Sequence, residues 1–322
     1  MHLLLFLLLF VIFLPDCKCL SSSATRSIAV TGGNKGQGFA LCQRILEEHS
    51  DTFVFLCARH SAKGKEAVQS LPKEHQERVE VVTLDVTDIN SVKAAAQHIK
   101  SSCQSLYGLV SNAGILWGYS LEEQFNVNAR GVRNVLDAFL PIMSPEKGRM
   151  IVVSSGLGPL MHSYASDENK AVMNKDGLEW KDLEKLMEKC LQANAEIGGP
   201  DGFEKVGFPG GPFAEAAPDF HMYGLAKMMA DAYMASLGKK HPALQINSVD
   251  PGLVYTDLIL KMPRYEGKNI EESGAQTPKQ GVEAAMRLLF DADIEGSGHY
   301  YAMNKDKTKL LMSTIDVKAS ED

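Results

Sequence analysis

Residues 27–38 read SIAVTGGNKGQG, and this stretch decides the fold. Its first five residues form a short β-branched and apolar run of strand character. Glycines follow, and then a helical stretch from about Gly36 to Glu48. A strand that turns on glycines directly into a helix brings the unpaired N–H groups of the helix amino terminus to the end of the strand. Gly32, Gly36 and Gly38 let that turn be tight and let the backbone approach a pyrophosphate, whose charge the N–H groups meet. A glycine-rich turn carries little information alone; its place between a strand and a helix gives it weight.

Moving outward, strand and helix alternate. TFVFLCA (52–58), VEVVTLDV (79–86), LYGLVSNAG (106–114) and RMIVVSS (149–155) are apolar runs separated by helical stretches. Strands that are apolar throughout are buried on both faces, which predicts a parallel sheet. Right-handed crossovers then make an α/β, doubly wound parallel sheet. Residues 156–222 interrupt the rhythm. Trp180, Leu183, Leu186, Met187, Cys190 and Leu191 follow helical spacing, and the Gly- and Pro-rich 197–220 predict an irregular loop of lid-like length. A helix (221–240), a sixth strand (244–252), another helix (277–290) and a last strand (298–303) follow. The expected organisation is one domain over 24–310, with an insertion at about 156–222 and a polar tail at 311–322.

The chain has 322 residues, of which 45% are hydrophobic, and a net charge of −7. That balance gives no electrostatic reason to expect a nucleic-acid partner. Residues 1–23 open with an apolar run from Leu3 to Leu14, short of the roughly 17 residues a spanning helix needs. They predict a cleaved signal peptide or a short membrane anchor, with Cys17 and Cys19 before a cleavage position. Cys42, Cys57, Cys103 and Cys190 have neither metal-ligand nor disulfide-framework spacing and are expected as small core residues, with no metal site.

YGLAK (223–227) puts Tyr223 and Lys227 four residues apart, on one face of a helix. An ammonium beside a phenol favours the phenolate, so the lysine is expected to lower the tyrosine's pKa and make it a usable acid. At the end of the second strand, Ala58 and Arg59 stand where a carboxylate would take a ribose 2′-hydroxyl. Arg59, with Lys35 of the glycine loop, suits a 2′-phosphate instead, which favours NADP(H).

In order, the chain carries TGGNKGQG at 31–38, LDV at 84–86, NAG at 112–114, NARG at 128–131, VVSS at 152–155, YGLAK and DPGLVYT at 250–256. With these motifs it resembles the short-chain dehydrogenase/reductases, most closely their carbonyl reductase-like branch, over roughly residues 25–305. The resemblance implies a Rossmann fold and a role for each matching position. Asp85 and the Val86 backbone would meet the adenine, and Asn112, Ala113 and Gly114 would line the cofactor cleft. Thr256 and the Val254 backbone would hold the nicotinamide carboxamide. Ser155 would hydrogen-bond the substrate carbonyl, with Ser154 the alternative one position earlier. Tyr223 would donate the proton, Lys227 would tune it and bind the nicotinamide ribose, and Asn128 would hold a relay water. Gln37 departs from the usual aliphatic residue. The long insertion between Ser155 and Tyr223 matches that of carbonyl reductases, where it covers a dimerisation face and implies a monomer.

The expected activity is NADPH-dependent reduction of a ketone, aldehyde or quinone by hydride transfer. Phe203, Phe208, Phe213, Phe220 and Met222 of the insertion suit a small hydrophobic carbonyl substrate. The alternatives are a steroid or retinoid dehydrogenase at the endoplasmic reticulum and a catalytically silent NADPH-binding protein. The leader implies the secretory pathway, first the endoplasmic reticulum lumen, with a plastid or secretion as alternatives. Membrane association is expected only if the leader is retained.

Overall fold

The computed structural model describes residues 24–294, 296–304 and 310–313. The leader and most of the expected tail lie outside the described residues. Eight strands form one sheet in the order β3-β2-β1-β4-β5-β6-β7-β8. They are β1 (Arg26–Thr31), β2 (Thr52–Ala58), β3 (Val79–Thr83), β4 (Gly108–Ser111), β5 (Arg149–Val153), β6 (Gln245–Asp250), β7 (Tyr300–Met303) and β8 (Leu310–Ser313). The first seven pair in parallel and β8 is antiparallel to β7. The sheet therefore runs into the expected tail. The short β8 follows β7 too closely for a crossover, so it can only return antiparallel.

Why the sheet is doubly wound shows in the side chains. Successive strand residues point to opposite faces. Ile28, Val30, Val54 and Leu56 enter one core, which Leu41 and Ile45 of α1 (Gly36–Glu48) help to fill. Ala29, Phe53 and Phe55 enter the other. There they meet Val92 and Ile99 of α3 (Ile89–Ser102) and Val132 and Leu136 of α4 (Gly131–Phe139). Between them in sequence lies α2 (Ser61–Gln69), which follows β2. A strand with two apolar faces is stable only with a helix layer on each, as the uninterrupted apolar runs predicted.

The insertion folds on the second of these cores. After α5 (Leu157–Tyr164) and α6 (Asp167–Asn174), α7 (Trp180–Glu196) buries Leu183, Leu186, Met187 and Cys190. The irregular loop expected at 197–220 is more ordered than that reading. It contains α8 (Gly199–Lys205) and a turn of helix at Phe213–Ala216, and α9 (Pro218–Lys240) begins inside it. Glycine and proline punctuate these helices rather than prevent them. Pro200 and Pro218 sit in first turns, where a missing N–H costs nothing. The last crossover helix is α10 (Glu283–Phe290). Cys42, Cys57, Cys103 and Cys190 are free and buried, and among the described residues no group of side chains could hold a metal ion.

Candidate active site

Strand order reverses between β1 and β4, and at such a switch point the helices diverge and leave a crevice beyond the carboxyl ends of the strands. Here the crevice has a volume of about 660 Å³. Its first half is built from backbone. Gly32 and Gly36 take φ of 65° and 54°, the left-handed region where a side chain would be strained. A methyl at Gly38 would lie 2.3 Å from the Gly32 carbonyl oxygen and 2.5 Å from Asn112 Nδ2, so α1 begins hard against the loop. Asn112 Nδ2 donates to the Thr31 carbonyl at 2.9 Å, and the Asn112 and Ala113 N–H groups donate to Thr31 Oγ1. Thr31 thus ties the end of β1 to the end of β4.

Lys35, Arg59, Asp85, Val86 and Gly114 line this half of the cleft, together with Gly32, Gly36, Gly38, Asn112 and Ala113. Asp85 Oδ1 accepts from the Thr87 N–H and hydroxyl. Lys35 is not turned to Arg59. Its Nζ lies 2.7 Å from Asp257 Oδ2, and the pair is exposed on both sides. The lysine holds the Asp257 carboxyl below the usual carboxylate range. Thr256 and Val254 line the wall that carries Asp257, and Val254 is buried where its segment bridges to Gln276.

The other half is built from buried side chains on α9 and the ends of β5 and β6. Tyr223 and Lys227 share one face of α9, with Lys227 Nζ 5.5 Å from the Tyr223 ring centroid. Both line the cleft while being almost fully buried. Lys227 Nζ donates to the Val153 carbonyl at 2.7 Å. Of the two serines, Ser155 is half-buried at the cleft wall, and among the described residues its Oγ accepts only a long bond from the Leu157 N–H. The Ser154 hydroxyl is committed elsewhere, donating to Asp231 at 2.7 Å. Ser155 is therefore the serine with a hydroxyl to offer.

Asn128 is the expected site residue that does not line the cleft. It sits in a π turn, Asn126–Arg130, between the short helix Leu121–Phe125 and α4, a distortion that recurs at functional sites. Its carboxamide accepts from the Ile115 N–H and donates to the Ile115 carbonyl and to Gln124. A methyl at Gly114 would be 3.1 Å from Asn128 Oδ1 and 3.9 Å from Lys227 Nζ, so the two groups converge behind Gly114.

Two expectations need correction. Burial, then Asp250 and Asp231, push the Tyr223 phenol above its ordinary value. Lys227 is not among the groups that set this direction, and burial lowers its own pKa to about 8. The aromatic residues of the insertion are also placed differently. Phe203 and Phe208 are core, Met222 packs against that core, and of the group only Phe220 lines the cleft; the Phe213 side chain is outside the described set. The apolar wall comes instead from Leu116, Trp117 and the segment 258–265, with Ile259, Met262 and Tyr265 packed around Tyr223.

Sequence reasoning missed two carboxylates, the buried Asp231 and the half-buried Asp250. Asp250, the last residue of β6 and the first of the DPG turn, accepts from the Gly252 N–H, and burial raises it. Asp231 continues the Tyr223–Lys227 face by another four residues, and that spacing was the available signal.

Comparison with known proteins agrees with this geometry. The family model described as short chain dehydrogenase matches residues 26–167. Carbonyl reductase (NADPH) 3 of Mus musculus is 30% identical over 277 residues, covering 80% of this chain and 90% of that protein. Salutaridine reductase of Papaver somniferum is 28% identical over 319 residues, covering 86% and 94%. The solved structure of the poppy enzyme superposes with a TM-score of 0.70 at 26% identity, over 85% of this chain and 99% of that one.

Proposed function

Because this chain belongs to the short-chain dehydrogenase/reductase family, an oxidoreductase family, we propose that it is an NADPH-dependent reductase of apolar carbonyl compounds. One observation carries the reading. A single cleft gathers the glycine loop, a cation without the usual carboxylate at the end of β2, and Ser155, Tyr223 and Lys227. The residues fit NADP(H): positive-φ glycines let the backbone meet a pyrophosphate, and Arg59 meets a 2′-phosphate. The mouse relative carries NADPH in its name. When bound, the cofactor supplies a hydride to the carbonyl carbon.

What the chain supplies is position and a proton. Ser155 donates a hydrogen bond to the carbonyl oxygen, where negative charge develops. Tyr223 gives its phenolic proton to that oxygen, leaving an alcohol or hydroquinone. A proton donor must begin protonated, as a phenol already is at neutral pH, and burial with two nearby carboxylates shifts Tyr223 further in that direction. Lys227 stands beside the ring to meet the phenolate as it forms. The wall of Leu116, Trp117, Phe220, Ile259, Met262 and Tyr265 fits an apolar substrate. On the same reading one chain suffices, since the insertion covers α9. The leader delivers the enzyme to an organelle lumen, which the amino-terminal mass of the mature protein checks.

The test is cofactor oxidation by the purified protein on quinones, aromatic aldehydes and ketosteroids, comparing NADPH with NADH. NADPH-selective turnover that falls by about 10³-fold in Tyr223→Phe is expected, within the range for loss of a general acid. NADPH binding with no turnover on any of them would instead favour a silent binding protein.

A further inference from the structure

Asp231 is fully buried, and no step described so far uses it. It lies two turns beyond Tyr223 and one beyond Lys227 on α9, so the three project from one face. Its Oδ2 accepts from the Ser154 hydroxyl at 2.7 Å. The space around that oxygen is made for it: a methyl at Gly158 of α5 would lie 2.5 Å from Oδ2. Lys227, the neighbour on the helix, donates to the carbonyl of Val153, the residue before Ser154. Successive residues at the end of β5 are thus pinned by α9, Val153 through its carbonyl and Ser154 through its hydroxyl. Ser155 is the next residue, and it faces the cleft.

Building on the reductase reading, we propose that Asp231 is a positioning residue of this site. It anchors Ser154 so that Ser155 is presented to the substrate carbonyl, and its negative charge keeps Lys227 an ammonium. A buried lysine without a counter-charge gives up its proton readily. The charged and titratable groups around Asp231 are few. On its own helix they are Lys227 and Tyr223; from β6 comes Asp250 and from β7 Tyr300. The hydroxyls of Ser154 and Ser248 also face it. Among these, Lys227 is the only cation. Burial presses Lys227 toward its neutral form and Asp231 opposes that pressure; burial likewise pushes the Asp231 carboxyl up to about 7, against the bond from Ser154 and the charge of Lys227. The bond to Ser154 and the charge on Lys227 are separable contributions, because an asparagine at 231 retains an acceptor and loses the charge.

The experiment uses Asp231→Asn and Ser154→Ala in the full protein, with Tyr223→Phe alongside. Turnover and NADPH affinity, the latter by cofactor fluorescence, are followed from pH 6 to pH 10. In Asp231→Asn the alkaline limb of both profiles is expected to move about one pH unit lower, with turnover at pH 8 down about tenfold. In Ser154→Ala the alkaline limb stays in place, while kcat falls about tenfold with KM little changed, as loss of one oriented donor would give. Asp231→Asn profiles that superpose on wild type overturn the charge role. An unaltered kcat in Ser154→Ala overturns the anchoring role. A wild-type protein that turns over nothing sinks the reductase reading alone, because the pH dependence of NADPH binding still reports the charge on Lys227.

Discussion

The two halves of the cleft are made of different materials. Around β1 and α1 the contacts are backbone groups and exposed cations: a positive-φ glycine loop, Arg59, and Lys35 paired in the open with Asp257. Around α9 they are buried side chains, with Tyr223, Lys227, Asp231 and Ser154 almost without solvent. On the proposed function, the first half recognises a charge that arrives with its ligand, so water can stay and individual charges count for little. The second must control where a proton sits, which requires fixed charges in a low-dielectric setting, where each one weighs more. The contrast predicts that substitutions at the buried end are severe and that those at the open end are severe only where backbone is involved.

Tyr223→Phe, with its expected loss of about three orders of magnitude in turnover and near-normal NADPH affinity, is the largest effect. Gly38→Ala comes next, because its methyl meets backbone rather than a yielding side chain. Overpacking of about 1–3 kcal/mol should weaken NADPH binding by about 5- to 150-fold, measured by fluorescence titration. An affinity within twofold of wild type would break the claim that the open half is built from backbone. Arg59→Ala should cost about tenfold in NADPH affinity and leave NADH affinity unchanged, so the ratio of the two is the measurement. Lys35→Ala should be smallest, a few-fold at most, since exposed ion pairs contribute about 1 kcal/mol or less. A larger loss would show that Lys35 leaves Asp257 to meet the cofactor.

Acid stability sharpens the comparison from a third position. Burial lowers the pKa of His221, which lies two residues before Tyr223 and bonds the Phe208 carbonyl through Nε2. A group depressed by folding contributes stability above its unfolded value, and that contribution is lost as pH falls through the folded one. His221→Phe should therefore flatten the decline in thermal stability below about pH 6.5, the ordinary histidine value.

The sheet was legible because its signal is redundant. The central strands β1 and β2 are buried on both faces, and a glycine turn fixes the order of β1 and α1. The cofactor half of the site was legible for the same reason, since glycine and a missing carboxylate are local facts. What escaped depends on residues distant in sequence. Whether Phe203 or Phe220 faces the cleft is set by how the insertion docks, which composition does not specify. Tyr223 appeared ready to be acidified by Lys227 because helix spacing shows only the lysine. Asp250 and the burial that raises the phenol belong to the assembled fold. Both serines of the pair line the cleft, and what distinguishes them, the bond from Ser154 to Asp231, spans β5 and α9.

The long helix α9 has a solvent side only near its ends, since almost everything from His221 to Gly238 is buried. Its inner face lies on the sheet, while its outer side meets the insertion. There the Ser236 hydroxyl and Lys240 both donate to the Leu178 carbonyl, and Trp180 packs edge-on against Tyr233. The sheet could persist through an opening that lifts the insertion away, but α9 could not keep its apolar outer side dry. The segment that carries the chemistry is therefore tied to the fate of a neighbour that touches few of the reacting groups. Catalytic competence and the cohesion of that neighbour form one cooperative unit.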